Sequence, residues 1–398
     1  MSYLRFAAAV SAFFFFNGAS QAITLEDYVD PNSAYEDAYA VGSFSMANKN
    51  YNTNAFGSQE EADDGKVFQT SYDLSMSATY RRVFNSLPLG WTYRAELVGQ
   101  MNQASFRDTG ADKDSSSSEN VFAYLEGNYD RYLDSNPNVF WFGGGNLRYD
   151  SNFDDPSAEV LGGVGYGRVI NATPLAKALR VMEDFQRFGL LTAYPSDVVM
   201  MEIAQIINKE EEYESKYGTD DYRRVWYEAI ETVLMGGGLI NGDGLGALGV
   251  IKLDDILEEE IIRVREHGWR ATAGVSYVIR SLTGEEGDPG LSLGFRYAKP
   301  YGYKGQLIED VSFVSPLDGD GDTTLQNELT YTYEVSDVVD WQNSWRLTLV
   351  NSDNSEDVTS NAFTSAFIYE ISNVLEFNVT MNLFDGDDAV IDDVGVRG

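Results

Sequence analysis

The feature that most constrains this chain is a two-residue rhythm that recurs along most of its length. Tyr72, Leu74, Met76, Ala78 and Tyr80 alternate with Ser71, Asp73, Ser75, Ser77 and Thr79. Trp91, Tyr93, Ala95, Leu97 and Met101 then alternate with Thr92, Arg94, Glu96, Gln100 and Asn102. Successive side chains of a strand point to opposite faces, so each run reads as a strand with one apolar and one polar side. The rhythm returns over 271–279, 291–297, 329–335, 363–371 and 375–383. Many such strands need a closed or two-layered sheet, and the open question is which face meets water.

The first 22 residues point to export. One basic residue, Arg5, precedes an apolar run over 7–16, and the stretch closes on Ser20-Gln21-Ala22. Small residues at the last and third-last places suit a signal peptidase, so cleavage is expected before Ile23. No later segment supplies the ~20 consecutive apolar residues of a membrane-spanning helix. The chain has no Cys, which excludes disulfides and thiolate chemistry. With 63 acids against 28 bases, the net charge of −35 argues against a nucleic-acid partner, which needs a basic face.

Alternation alone does not separate a membrane barrel from a soluble sandwich. Three features favour the barrel. The apolar parity runs about ten residues, near the ~9–11 that cross a bilayer at a tilt. Connections alternate between tight ones, such as 86–90 and 135–138, and long acidic or Ser-rich ones, such as 57–65 and 110–120. The polar parities carry both signs of charge, at Arg94, Glu96, Arg148, Arg270, Arg280, Arg296, Glu334, Arg346 and Glu376. That fits a wet lumen. Aromatics make up 13% of residues, led by 25 Tyr and 22 Phe, as expected where rings sit at lipid–water boundaries.

On the signal peptide, the dyad repeats and the aromatic-ended strand Leu375 to Phe384, the chain resembles the Gram-negative outer-membrane β-barrel proteins. The resemblance implies an all-β, antiparallel, up-and-down transmembrane barrel in the outer membrane, in contact with its lipid. Phe384 is not the last residue, because an acidic tail over 385–398 follows. Thirteen strand candidates can be drawn. Single-chain bacterial barrels usually have even counts, so twelve to fourteen strands are expected, with 309–316, ending in Pro316, the weakest member.

Between the two strand regions, 23–172 and 269–384, the period switches to 3.6. Over 173–268 the sequence predicts four helices forming an insert, either a lumen plug or a periplasmic module for a cell-envelope partner. Thr173-Pro174 reads as an N-cap and first turn, with Leu175, Ala178, Leu179, Met182 and Phe185 on one face and Gly189 as the stop. A second helix runs from Ser196 to Gly218 and a third from Thr219 to Gly236, carrying Trp226 and Ile230. After a Gly-rich link, the fourth spans Asp254 to Glu266 with Leu257, Ile261 and Val264 on one face.

Chemistry motifs are sparse. Gly162-Gly163-Val164-Gly165-Tyr166-Gly167-Arg168 fails the dinucleotide pattern, since Arg168 takes the third glycine's place; in a strand these glycines make room for an aromatic or for the helices. Asp318, Asp320 and Asp322 have the spacing of a calcium loop but lack its glycine and its bidentate Glu. A loosely held Ca²⁺ or Mg²⁺ there is the only metal the spacing suggests, and no cofactor is expected. The single imidazole, His267, reads as a helix-end cation rather than a catalytic base, so no enzyme is expected. The sequence-based expectation is a passive channel or export conduit, with Arg94, Glu96, Arg148, Arg270, Arg280, Arg296 and Arg346 lining the lumen. The alternative is a non-conducting scaffold whose insert binds an envelope partner.

Overall fold

The computed structural model describes residues 23–52, 66–107, 114–240, 244–259, 262–284, 286–319, 321–336, 338–352, 356–372 and 375–386. The expected signal peptide, most of the acidic tail and Asp320 lie outside them.

Thirteen strands form one antiparallel sheet in chain order. They are β1 (Ser33–Asn52), β2 (Lys66–Asn85), β3 (Leu89–Arg107), β4 (Asp114–Leu133), β5 (Asn136–Asp150) and β6 (Ser157–Asn171), then β7 (Glu266–Arg280), β8 (Gly290–Tyr301), β9 (Gly305–Pro316), β10 (Thr323–Ser336), β11 (Val339–Asn351), β12 (Val358–Ser372) and β13 (Leu375–Gly386). Among the described residues the count is thirteen, not twelve. The doubtful segment is a full strand, paired with both β8 and β10, and Pro316 sits at the ladder's end opposite Gly290, where a missing N–H interrupts nothing further. A closing ladder between β1 and β13 is not among the described pairings, and in a strictly alternating sheet of thirteen these two strands run parallel.

The register assigns the two faces. Leu74, Met76 and Ala78 lie opposite Met101, Gly99 and Leu97, while Asp73, Ser75 and Thr79 lie opposite Asn102, Gln100 and Glu96. The apolar parity is left uncovered: Val164 is 60% exposed, Leu383 59% and Leu125 51%. A soluble sandwich would bury this face against a second layer. Among the described residues the strands contribute only Tyr132, Phe140 and Ala298 to the buried apolar set, and the others belong to the helices and to the segments that pack on them.

Those helices are α1 (Thr173–Arg187), α2 (Asp197–Ile207), α3 (Glu210–Tyr217), α4 (Tyr222–Gly236) and α5 (Gly246–Asp254), followed by a π-turn over Asp255–Glu259. The apolar stripe of α1 is buried throughout, from Leu175 at 0% to Leu179 at 3%. It packs with Met200, Ile203 and Ile207 of α2, with Trp226, Ile230 and Leu234 of α4, and with Leu253, Ile256 and Leu257. Burying such side chains contributes roughly 1.5–3 kcal/mol each, so this cluster is the chain's main water-excluding core.

Several local expectations are corrected. The second predicted helix divides at Asn208 and Lys209 into α2 and α3, and the fourth begins earlier, at Gly246. Glu259 is the last helical residue among those described and Ile261 lies outside them; Val264 is 52% exposed, and His267 is on β7 rather than at a helix end. Ala172, not Thr173, is the N-cap of α1. The Thr173 hydroxyl instead donates to Asn171 Oδ1 at 2.6 Å and accepts from the Arg265 N–H at 2.8 Å, tying together the two ends of the insert.

The glycine run of β6 makes room for aromatic rings from β5. A Cβ on Gly165 would lie 2.1 Å from the Phe140 ring and 2.8 Å from the Ala271 carbonyl oxygen, and one on Gly163 would lie 2.6 Å from the Phe142 ring. Phe140 is 1% exposed and packs at a tilt against Tyr132, ring centres 4.9 Å apart. Gly165→Ala should therefore displace Phe140 and cost roughly 1–3 kcal/mol. Urea midpoints of the detergent-folded protein check this; an unchanged midpoint would show the ring is free to move.

Candidate functional site

The helical module meets the sheet at one end and on one face. It leaves β6 and returns to β7 at the end that carries the tight β2–β3, β4–β5 and β8–β9 turns. Glu211 of α3 pairs with Arg81 of β2 at 3.3 Å, Arg180 of α1 with Glu334 of β10 at 3.5 Å, and Arg263 with Asp340 of β11 at 2.9 Å. All three strand partners belong to the polar parity, by register with Asp37, Thr332 and Gln342. One module thus touches strands far apart in the ladder, so the sheet curls around it with the polar parity inside and the apolar parity outside.

Arg265 anchors the junction. Its side chain is 1% exposed, and its guanidinium donates to the carbonyl oxygens of Tyr303 (2.8 Å), Lys304 (2.9 Å) and Arg263 (3.0 Å). The Tyr303 hydroxyl in turn donates to Glu183 of α1. His267 Nε2 faces the Tyr28 carbonyl oxygen at 3.1 Å, holding the N-terminal segment whose Ile23, Leu25 and Tyr28 enter the helical core. The imidazole's role is thus local anchoring.

The inner face carries two charged rows of directly opposed residues. Asp37, Arg81, Arg94, Glu126, Asn146 and Glu159 face one another across β1 to β6. Arg270, Arg296, Asp310, Glu328 and Arg346 do so across β7 to β11. Like charges meet at Arg81–Arg94, Arg270–Arg296 and Asp310–Glu328, which alone is destabilising. Opposite charges offset each contact. Arg81 pairs with Asp37 at 3.0 Å and Arg94 with Glu96 at 2.9 Å. Arg270 grips Asp130 through both terminal nitrogens at 3.2 Å, and Arg296 bridges Glu266 and Asp310, each at 2.6 Å. Arg346 pairs with Glu328 at 2.8 Å.

Of the seven residues expected along the lumen, Arg94, Glu96, Arg148, Arg270, Arg296 and Arg346 share the polar parity by register, while Arg280 lies beyond a register shift, opposite Ala158. Arg148 lies opposite Tyr124 and pairs with Asp150 at 3.4 Å, and Arg280 pairs with Asp155 at 2.6 Å at the far end of β7. Sequence reasoning missed their partners Asp37, Asp130, Asp310 and Glu328, although the same alternation carries them. Of the acidic loop, Asp322 accepts from the Ser352 hydroxyl at 2.6 Å, and Asp320 lies outside the described residues. Among the described residues no three His, Cys, Asp or Glu side chains cluster as metal ligands.

On the outer face, rings form a belt near the tight-turn end. Trp91 and Tyr93 lie 5.2 Å apart, Tyr129 and Trp141 4.9 Å, Tyr166 and Trp269 5.4 Å, and Trp341 and Phe367 5.8 Å. Tyr and Trp at this height are what a lipid–water boundary favours, each with an apolar body and one polar tip.

In the helical module, α3 opens with Glu210, Glu211 and Glu212. Burial raises the Glu210 carboxyl from the ordinary 4.5 to about 6, and neighbouring Glu258, Glu211 and Glu214 add to the rise against Lys177. A carboxyl raised on folding destabilises the native state once ionised: the cost is absent below pH 4.5 and complete above pH 6. Glu210→Gln is expected to stabilise the module by roughly 1–2 kcal/mol at pH 7.5 and to do nothing near pH 4. Thermal melts at both pH values decide it.

No protein-family model matches the chain, and no curated protein matches it. Among solved structures it is similar to Wzi of Escherichia coli, an outer-membrane protein involved in group 1 capsule assembly and described as a carbohydrate-binding β-barrel. That likeness covers 89% of this chain and 81% of Wzi, at 4% identity and a TM-score of 0.30. At that score the two folds are only loosely alike.

Proposed function

We propose that this chain is an outer-membrane β-barrel whose charged inner face lines an aqueous conduit, capped at the tight-turn end by the helical module. One observation carries the proposal: the apolar parity of the sheet is uncovered and belted by aromatics, while the polar parity curls around the helices. Lipid is the solvent that suits the first face, and water suits the second. Tight turns face the periplasm in this class of barrel, so the module lies on the periplasmic side. Acidic residues outnumber basic ones along the inner face, and the paired arginines leave a surplus of negative charge that favours cations. No catalytic step, cofactor or nucleic acid is part of this proposal, and outer-membrane lipid is its one obligatory partner.

Heat-modifiability of the outer-membrane fraction is the first test. A faster-migrating unboiled band is expected, and a soluble protein without that shift would overturn the membrane assignment. Purified protein in planar bilayers should then show cation-selective conductance that stays low while the cap is seated. A barrel that never conducts, even without its cap, would leave the module as a docking platform for a cell-envelope partner.

A further inference from the structure

The end of the sheet opposite the helical module holds a cavity of about 360 Å³, lined by β5, β6, β7 and the loop that leaves β7. It follows from how β7 ends. The β7–β8 ladder stops at Ser276–Gly290, so the last four residues of β7 run past β8 and lie against β6 alone. A bulge there sets Val278 opposite Glu159 and Arg280 opposite Ala158, with Ile279 as the extra residue. The loop then folds back onto β7: Gly284 turns the chain at a φ of 82°, and the Gly287 N–H donates to the Val278 carbonyl oxygen at 2.9 Å. A Cβ at Gly284 would collide with the Asp155 carboxylate, which takes the Arg280 guanidinium at 2.6 Å. That ion pair ties the β5–β6 loop to the end of β7 and fixes the cavity's shape.

Inside, the charges do not balance. Arg280 is held by Asp155, whereas Glu159 accepts from Asn146 Nδ2 at 3.2 Å and, among the described residues, is in no ion pair. It differs in this from Asp37, Asp130, Asp310 and Glu328 of the inner face, each of which is paired with an arginine. Val278 and Leu282 give the cavity an apolar wall, and Ser157 and Thr283 add hydroxyls.

We infer that this cavity binds a small organic cation, a primary ammonium on a short carbon chain, at the outer mouth of the conduit. The inference deepens the function proposed above and rests on it for the direction of entry. An ammonium carries three donors, which suit the Glu159 carboxylate and a neighbouring hydroxyl, while the chain carbons cover Val278 and Leu282. The volume is of ligand size. A hard divalent ion needs several oxygen ligands, and here one carboxylate is open to it. An anion would meet Glu159 and find Arg280 already engaged.

The test is a titration of the detergent-folded protein with n-butylammonium chloride at constant ionic strength, read by saturation-transfer NMR of the ligand. Saturable, millimolar binding is expected. Neutral n-butanol and ammonium chloride should each bind at least about tenfold more weakly, since each lacks half of the recognition. Glu159→Gln should weaken butylammonium about fivefold and Leu282→Ser about threefold, both with the heat-modifiable band retained. Glu126→Gln, two strands away on the same inner row and outside the cavity, should change the affinity less than about twofold. No saturable binding, equal affinity for ammonium or butanol, or an unchanged affinity in Glu159→Gln would each overturn the inference. Failure of the membrane assignment is distinct: the unsubstituted protein would then lack the heat-modifiable band, and the titration would still decide the site.

Discussion

Arg265→Ala is expected to loosen the helical cap, costing about 3 kcal/mol at the junction and raising conductance in planar bilayers. The substitution leaves the Tyr303 carbonyl without this donor and takes one of two donors from the Lys304 carbonyl, which keeps the Glu334 N–H at 2.9 Å; a lost donor costs roughly 1–3 kcal/mol. Arg263→Ala adds the loss of the 2.9 Å pair with Asp340, so that the cap holds β8 to β11 through Arg180–Glu334 and Glu183–Tyr303. The α3–Arg81 contact remains, so the double variant should flicker rather than stay open. Replacing residues 174–264 by a short linker should hold the conduit open. A seated cap predicts closed, flickering and open conductance in that order. Equal conductance for all three proteins would mean that the helices do not obstruct the lumen. Limited proteolysis gives an independent readout, because a loosened module exposes its helical segments while the strand ladder stays protected.

Charge reversal on the inner rows should move ion selectivity in a direction set by the row. Arg94 and Arg346 are the best sites, being half exposed and held by one carboxylate each. Changing both to Glu adds negative charge beside Glu96 and Glu328 and should raise the cation preference about fivefold. That corresponds to the ~1 kcal/mol a unit charge exerts at contact in water-like surroundings. Glu126→Gln with Glu328→Gln should shift the preference the other way. Reversal potentials are best read below 0.1 M salt, where the screening length exceeds about 10 Å and the rows act across the lumen. Identical reversal potentials for all variants would show that ions do not pass along this face.

Much of this molecule was legible in the residue order because its signals are local. The Tyr72 and Trp91 runs alternate visibly, and the α1 stripe from Leu175 to Phe185 repeats at helical spacing. Each follows from backbone geometry within a few residues. Errors arose where a residue's role depends on a distant neighbour. Thr173 has the look of a cap, yet its hydroxyl is claimed by Asn171 and Arg265 across the neck of the insert. His267 follows a helix-like run but pairs with Tyr28, far away in the chain. The segment ending in Pro316 looked weak alone and is held by ladders on both sides.

The sequence by itself determined that the chain has two-faced strands, a helical interruption and charges concentrated on one parity, because period and polarity are properties of consecutive residues. It could not say which face is covered, since coverage depends on what else packs there. Only the tertiary structure decided that the helices seat on the polar parity and leave the apolar parity bare. Register did the rest. Arg270, Arg296, Asp310, Glu328 and Arg346 sit on five strands and become one row only when every hairpin is in step, because a slip of one residue sends a side chain to the opposite face.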